Sequence, residues 1–370
     1  MRDDADPVVW GAPGTGAEQR PGDPLTRWAR GVVLGGEGHY AAAAAVLDRL
    51  RAGPGVPDAV RAHAAVTRAA HLRQLGGHRL AAALDGQGLR LARAAPGCGP
   101  GATGVAAAAV ADALVGLAAD AVGRWDAPSA ARLLARAEPW CAPGGRPGVR
   151  WHWVRAETAL LRGDPAAAVA AAGDAVRAAD ALGSVRHLLK SRLVAAVARS
   201  VAGDEQDPLP ELDRIAAQSS AAGLLPLHRA ALLAAADAAD AVGGGPPREA
   251  GAGATAAERG GTVRRDGHPT RTGAPVPPNE RHARMSRLNT LSRQTGAQRR
   301  RHAAAVTLNV LYLRTDPLGR RSIRESAWIP DSIAVPYGLL HSATCHPHVA
   351  QSSGDAFPDG GHKFAPTVSR

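Results

Sequence analysis

Hydrophobic residues recur at helical spacing through the first two thirds of the chain, up to about residue 243. Leu182, Val185, Leu188, Leu189 and Leu193 illustrate the three- and four-residue spacing, and helix-forming residues fill the positions between them. The alternation of apolar and polar positions that indicates strands and hairpins is missing there. The pattern predicts an all-α fold for this part of the chain.

Beyond residue 243 the pattern changes abruptly. Residues 244–370 are rich in Gly, Pro, Ser, Thr and Arg, and their main apolar segment, Ala303–Leu313, is too short to form a domain. Such a composition is typical of chains that do not order themselves. We expect residues 244–370 to form a largely disordered tail, and residues 1–23 a flexible N-terminal segment.

The tail also carries most of the net charge. It holds 18 Lys and Arg against 9 Asp and Glu, a difference of +9 out of the +11 of the whole chain. Two alternatives to a solvated tail stay open. A basic segment is able to bind polyanions such as nucleic acid, and the change of composition also fits translation of a shifted reading frame in a GC-rich gene.

Glycines recur with a long period through residues 24–243. Gly38, Gly77, Gly123, Gly163 and Gly203 each precede an alanine-rich segment, and successive glycines are 39, 46, 40 and 40 positions apart. Seven positions before each of them stands a small residue: Gly31, Ala70, Gly116, Ala156 and Ala196. The pattern predicts repeated helical hairpins that reverse at the glycine and cross closely at the small residue.

The stretch VVLGGEGHYA, residues 32–41, has a second interpretation as the strand and phosphate-binding turn of a dinucleotide fold. That fold requires an acidic residue about 20 positions further on, which would be Asp58. The residues before Asp58, GPGVPD, indicate a loop and not the end of a second strand. A helix end, a turn and a helix start are therefore predicted.

The first hairpin resembles the tetratricopeptide repeat. The resemblance is to repeat proteins of the type that the GC-rich genomes of actinobacteria encode. The residues that carry the resemblance fall at the aromatic, small, turn and packing positions: Trp28, Gly31, Leu34, Gly38, Tyr40, Ala43, Leu47 and Leu50. Weaker copies follow, and they are longer than the usual 34 residues. The resemblance covers residues 24–243 and implies an α-solenoid of about five hairpins with a closing helix.

In this family the first helices of the hairpins line a concave groove. The resemblance implies that the groove residues here are Trp28, Thr67, His71, Gln74, Arg150, Trp153, Glu157 and Lys190. Such a groove suits an extended peptide with a carboxylate and an apolar side chain. The lysine and asparagine clamp that some relatives use for terminal carboxylates is not reproduced, and ordinary packing between repeats is an equally good interpretation of Trp153.

Motifs for catalysis are weak. Neither G-x-S-x-G nor H-E-x-x-H occurs, and the phosphate-loop-like segment Gly11–Gln19 has Ala17 and Glu18 where lysine and a hydroxyl are needed. The histidines and cysteine of residues 341–362 lack a frame for a zinc site. We expect no catalytic residue, no metal and no cofactor.

These patterns favour a noncatalytic scaffold that binds a partner peptide or protein. The alternative is a regulatory or nucleic-acid-associated protein whose basic tail binds polyanions. The acidic N-terminus does not resemble a signal peptide, charged residues interrupt each alanine-rich run, and the three cysteines give no disulfide framework. A cytoplasmic protein without a membrane segment is expected.

Overall fold

The computed structural model describes residues 23–99, 102, 104–141, 145–204, 206–243 and 278–326, with side chains except at 242–243 and 278–294. The chain divides into two compact units, 1–334 and 335–370, and the described residues all belong to the first. They form thirteen α-helices and, within these ranges, no strand. The helices are α1 (Pro24–Gly36), α2 (Tyr40–Ala52), α3 (Asp58–Gln74), α4 (His78–Ala94), α5 (Val105–Val122), α6 (Ala127–Ala137), α7 (Arg146–Leu161), α8 (Pro165–Leu182), α9 (Val185–Ala202), α10 (Leu209–Ala221), α11 (Leu225–Gly243), α12 (Pro278–Leu313) and α13 (Pro317–Arg324).

The glycine period marks the hairpins, as predicted. Each of the five glycines lies in the turn between an odd-numbered helix and the next even-numbered helix, from α1 and α2 to α9 and α10. Gly38, Gly163 and Gly203 have positive φ angles of 82°, 73° and 75°, a conformation that favours glycine. Residues 32–41 form the end of α1, the turn and the start of α2, so they are not a strand and phosphate-binding turn.

Aspartate followed by proline starts several helices. Asp23, Asp164 and Asp316 accept a hydrogen bond from a backbone N–H in the first turn of α1, α8 and α13, and a proline follows each of them. The carboxylate satisfies a donor that the helix leaves unpaired, and proline has no N–H to lose at this position. These pairs fix the helix starts.

The small residues seven positions before the turns mostly permit close packing. A Cβ built on Gly31 would lie 2.7 Å from Leu47 Cδ2 of α2, and Ala156 and Ala196 are fully buried. Gly116 faces the carboxylate of Asp85 on α4. Ala70 differs, because it is only half-buried and lines a cavity.

Helix α5 forms the centre of one hydrophobic core, together with residues from α3, α4, α6 and α7. By length and composition it is apolar enough to cross a membrane, with a mean hydropathy of 1.8, although 72% of it is buried inside the protein. Asp112 and Asp120 interrupt this helix, as expected for the alanine-rich runs, and they are its only charged residues. Its burial is that of a core helix.

Helix α11, the predicted closing helix, packs against α12, which belongs to the segment predicted to be a tail. Ala304 of α12 packs in one core with Leu212 and Ala235, and Ala297 packs against Ala236 and Ala239. Arg300 donates to both carboxylate oxygens of Asp213 on α10, at 2.8 and 2.5 Å. The span 244–370 therefore contains packed helices over 278–324, and α11 and α12 form a sixth pair.

The segment 304–326 then reaches the first two hairpins, and we call it the C-terminal strap. Leu308 and Leu311 of α12 and Ile323 of α13 form a core with Tyr40 of α2 and Leu75 after α3. The N–H of Ala41 donates to the carbonyl of Arg314 at 2.8 Å. Because α1 also contacts α11, the first and last helical pairs of the array meet.

Other predictions fall outside the described residues. They concern the flexible segment before residue 23 and its phosphate-loop-like stretch, the parts of the predicted tail at 244–277 and 327–370, and within the latter the histidines and cysteine at 341–362.

Candidate functional site

The odd-numbered helices from α1 to α11 surround a cavity of about 300 Å³. Its lining comes from these helices and from Leu224, which directly precedes α11. In each hairpin, the first helix therefore faces the cavity and the second does not contribute to the lining. This arrangement follows from the hairpin repeat, because equivalent helices of successive repeats lie on the same side.

All eight residues predicted to face a groove line this cavity: Trp28, Thr67, His71, Gln74, Arg150, Trp153, Glu157 and Lys190. They lie on the sides of α1, α3, α7 and α9 that face the cavity. The structure adds several charged or aromatic neighbours that the pattern did not single out: Arg73, Asp112, Arg146, Arg186 and His187.

The two tryptophans of the cavity are anchored by hydrogen bonds. Trp28 Nε1 donates to Thr67 Oγ1, and Trp153 Nε1 donates to Ser191 Oγ, each at 2.8 Å. Trp153 also stacks on His187, with 5.5 Å between ring centroids and 17° between planes. Trp153 therefore lines the cavity and also packs between α7 and α9.

Asp112 holds two of the cavity arginines. Its carboxylate pairs with Arg146 and, at 2.5 Å, with Arg150. Burial acts to raise the pKa of Asp112, but Arg146 and Arg150 outweigh that effect, so the pKa lies below its usual value. The positive charge of Arg150 is therefore compensated inside the protein, although the sequence suggested it for a ligand carboxylate.

A second buried cluster lies around Arg73. Its Nε donates to Asp120 at 2.7 Å, and its Nη2 pairs with Asp85. Burial raises the pKa of Asp85 well above its usual value, Arg73 acts in the opposite direction, and the neighbouring Asp120 raises it further. Two carboxyl groups share one guanidinium here, which favours a proton on Asp85.

Lys190 is paired as well. Its Nζ lies 3.3 Å from Glu157 Oε1, and it is 5.9 Å from the centre of the Trp153 ring. The side chains of Lys190 and Glu157 are 34% and 33% exposed, so this pair is accessible and weaker than the Asp112 cluster.

Arg186 is the exception among the five cationic residues of the lining. It makes no ion pair or hydrogen bond with any residue in the described ranges. Burial lowers the pKa of Arg186, as do Arg150 and Arg146, while Tyr40 acts in the opposite direction. The cavity therefore has a positive charge without a carboxylate partner in the described part of the chain.

The histidines of the cavity are neutral. Burial lowers the pKa of His71 to about 3, and Arg186 and Arg68 contribute. Burial, with Arg186, also lowers the pKa of His187 well below its usual value. Because neither histidine is charged near neutral pH, they do not add to the positive charge of the cavity.

Hydroxyl groups are scarce in the described lining of the cavity. Among the described residues that line the cavity, only Thr67 carries a hydroxyl group. That hydroxyl accepts a hydrogen bond from Trp28 Nε1. A serine and a histidine approach each other nearby, with 2.8 Å between Ser184 Oγ and His187 Nδ1. Ser184 is the buried N-cap of α9 and does not line the cavity, so this contact belongs to the helix start.

Arg146 and Arg186 were missed although the sequence carries a signal for them. Arg146 lies four positions before Arg150, and Arg186 lies four positions before Lys190. Residues four positions apart share one face of a helix. Extending the predicted face of α7 and α9 by one turn therefore finds both arginines.

The protein is therefore an all-α protein built from helical hairpins, with a cavity lined by charged residues inside the array. Comparison with protein-family models, with curated proteins and with solved structures gives no match to this chain.

Proposed function

We propose that the protein is a noncatalytic binding scaffold, similar to tetratricopeptide repeat proteins, which holds a segment of a partner peptide or protein in its inner cavity. The observation that carries this proposal is the convergence of the inner helices on one cavity with tryptophans, paired charges and one arginine that has no ion pair within the described ranges. Aromatic and arginine side chains of this kind dominate the free energy of many interfaces.

The size of the cavity limits what binds. A volume of about 300 Å³ lies at the lower end of the range for ligand pockets. Because α1 contacts α11, the inner helices surround the cavity and do not flank a long open groove. We therefore expect a short segment, such as one or two side chains or a chain end, to enter the cavity. A cytoplasmic location fits this function.

The alternative, polyanion binding by the basic tail, has less support. Arg300 and Arg301 belong to the most basic run of the tail, and both pair with aspartates of the hairpin array: Asp213, Asp237 and Asp240. Pairing within the hairpin array offsets part of the positive charge of this run.

The test is capture of partners from native lysate by the full-length chain and by matched tryptophan variants. Trp153→Ala should abolish capture, whereas Trp125→Ala should retain it, because Trp125 is 66% exposed and does not line the cavity. Ala70→Leu narrows the cavity without deleting a packed side chain and should also abolish capture. Capture that survives both cavity variants would refute the proposal.

The same experiment distinguishes the alternative function. Partners bound by the basic tail should be lost on nuclease treatment and as salt rises, and should be unaffected by Trp153→Ala. Partners held in the cavity should survive the nuclease.

A further inference from the structure

Four of the five cations that line the cavity pair with carboxylates. Arg146 and Arg150 share Asp112, Arg73 shares Asp85 and Asp120, and Lys190 pairs with Glu157. Arg186 remains without a hydrogen bond or ion pair to the described residues. Arg186 is therefore the cation of the lining whose charge is not offset by a directly paired carboxylate of the described ranges.

The surroundings of Arg186 do not neutralise it. A Cβ built on Gly36 would lie 3.2 Å from Arg186 Nη1, so the guanidinium packs directly against the backbone of α1. Burial raises the pKa of Tyr40, whose hydroxyl donates to Gln74 Oε1 at 3.1 Å. A neutral phenol does not compensate a cation, and a half-buried charge without a counter-charge is less favourable than a paired one.

A second polar group of the cavity also lacks a partner. His71 lines the cavity and is 2% exposed, and its Nδ1 has no hydrogen-bond partner among the described residues. Buried polar atoms are usually paired in folded proteins. An unpaired cation and an unpaired ring nitrogen in one cavity together indicate a place for a polar ligand.

The rest of the lining restricts the ligand. Because Asp112 and Glu157 already occupy the other cations that they contact, Arg186 offers one position for one anionic group. The contribution of α11 and the residue before it is apolar: Leu224, Pro226, Leu227 and Ala230. A ligand with one negative charge and an apolar body fits both parts.

We propose that Arg186 binds the single negative charge of an organic monoanion whose apolar body lies against the start of α11. This proposal rests on the function proposed above, in that it specifies the chemistry of the group that enters the same cavity. The charge has two sources, a small organic acid or the end of a partner peptide.

The first test compares acids with matched neutral amides. Acetylated valine, leucine and phenylalanine are titrated into the full-length protein by calorimetry, each as free acid and as amide. The free acid should bind at least tenfold more tightly than the amide. Equal affinity of acid and amide, or no binding of either, would overturn the proposal.

The variants locate the preference on one residue. Arg186→Met keeps the aliphatic stem and removes the charge, so the acid and the amide should bind equally. Arg199→Gln changes an exposed arginine of the same helix that is paired with Asp204, and the tenfold preference should be retained. A preference that survives Arg186→Met would place the anion elsewhere.

The two sources are separated by a hexapeptide ending in leucine, tested with a free and with an amidated C-terminus. Binding of acetyl-leucine without binding of the free peptide indicates a small organic acid. Tighter binding of the free peptide than of acetyl-leucine indicates a chain end.

A stability measurement is independent of the probes. Since Arg186 is a half-buried cation without an ion pair in the described ranges, Arg186→Met should raise the Tm of the unliganded protein by up to about 2 °C. A residue with a purely structural role would lower it, and a lower Tm would contradict the proposal.

This inference and the proposed function fail in different ways. Partner capture that depends on Trp153 but not on Arg186 would refute the anion site and leave the scaffold. Acid binding through Arg186 with partner capture independent of the cavity would refute the scaffold and leave the anion site.

Discussion

The guanidinium of Arg68 and the carboxylate of Asp316 form an ion pair across 248 positions of sequence, with 2.5 Å between Nη2 and Oδ2. The Arg68 side chain is 2% exposed. It joins α3 of the second hairpin to the residue that caps α13, and is therefore part of the contact between the C-terminal strap and the start of the array.

We expect Asp316→Ala to lower the free energy of unfolding by about 3 kcal/mol, because it leaves Arg68 buried without its main partner. Loss of the cap of α13 contributes in the same direction. Urea denaturation followed by circular dichroism measures the change. Asp237→Ala is the control, since Asp237 is 75% exposed in its pair with Arg301, and it should cost less than about 1 kcal/mol. Equal effects of the two variants would argue against a buried pair.

The apolar contacts of the C-terminal strap predict that two substitutions on α12 will differ in their effect on stability. Leu308→Ala should destabilise the protein by about 2–5 kcal/mol, because Leu308 is 2% exposed and packs against Tyr40 and Leu75. Val306→Ala lies two positions away on the same helix and is 47% exposed, so it should change stability by less than about 1 kcal/mol. If residues beyond 243 were an unfolded tail or a frame artefact, both variants would be neutral.

Two helical glycines should respond in opposite directions to alanine. Gly35 of α1 faces the imidazole of His71 so closely that a Cβ there would overlap the ring. We expect Gly35→Ala to destabilise the protein by about 1–3 kcal/mol through overpacking. The nearest atom to a Cβ on Gly86 of α4 is Arg90 Nη1 at 3.9 Å. Gly86→Ala should therefore stabilise by up to about 1 kcal/mol through helix propensity, and thermal unfolding of the two variants tests both signs.

The buried histidines predict a loss of stability in acid. His71 has a folded-state pKa of about 3, below the value of about 6.5 in the unfolded chain. Between these values the unfolded state binds more protons, so the stabilisation is complete above pH 6.5 and is lost as the pH falls. Between pH 7.5 and 5.5 the contribution of His71 is about 1.4 kcal/mol.

A variant isolates this contribution. His71→Asn should unfold with a pH dependence weaker by that amount than the unmodified protein. His63, with a pKa lowered to about 4 by burial, adds a similar loss that is common to both proteins. Asp85 has a raised pKa and the opposite sign, and it also cancels in the comparison. Identical profiles for the two proteins would show that His71 titrates normally.

Much of the fold was predictable because its signals are local. The turn glycines, the small residues before them and the aspartate-proline starts each act within one hairpin, and they place α1 to α11. The cavity lining follows from the same register, since a helix face repeats every three or four residues. The same periodicity predicts that Arg186, four positions before Lys190, faces the cavity.

The rest depends on distant partners. Nothing near Asp316 indicates that it will meet Arg68, and the apolar residues of α12 form too short a segment to suggest a core until Tyr40 and Leu75 are known to face them. Likewise, the sequence suggested Arg150 for a ligand, because the carboxylate that neutralises it, Asp112, lies 38 positions earlier. Pairings of this range are decided by the assembled fold.

Repeat proteins of open form tolerate the gain or loss of a unit, since each unit contacts only its neighbours. The C-terminal strap removes that freedom here, because its residues fit the first two hairpins and the last helical pair at the same time. Duplication or deletion of one hairpin would displace the ends from each other and separate Arg68 from Asp316. The number of repeats is therefore fixed by geometry, and this chain is expected to evolve by substitution within its hairpins and not by changing its copy number.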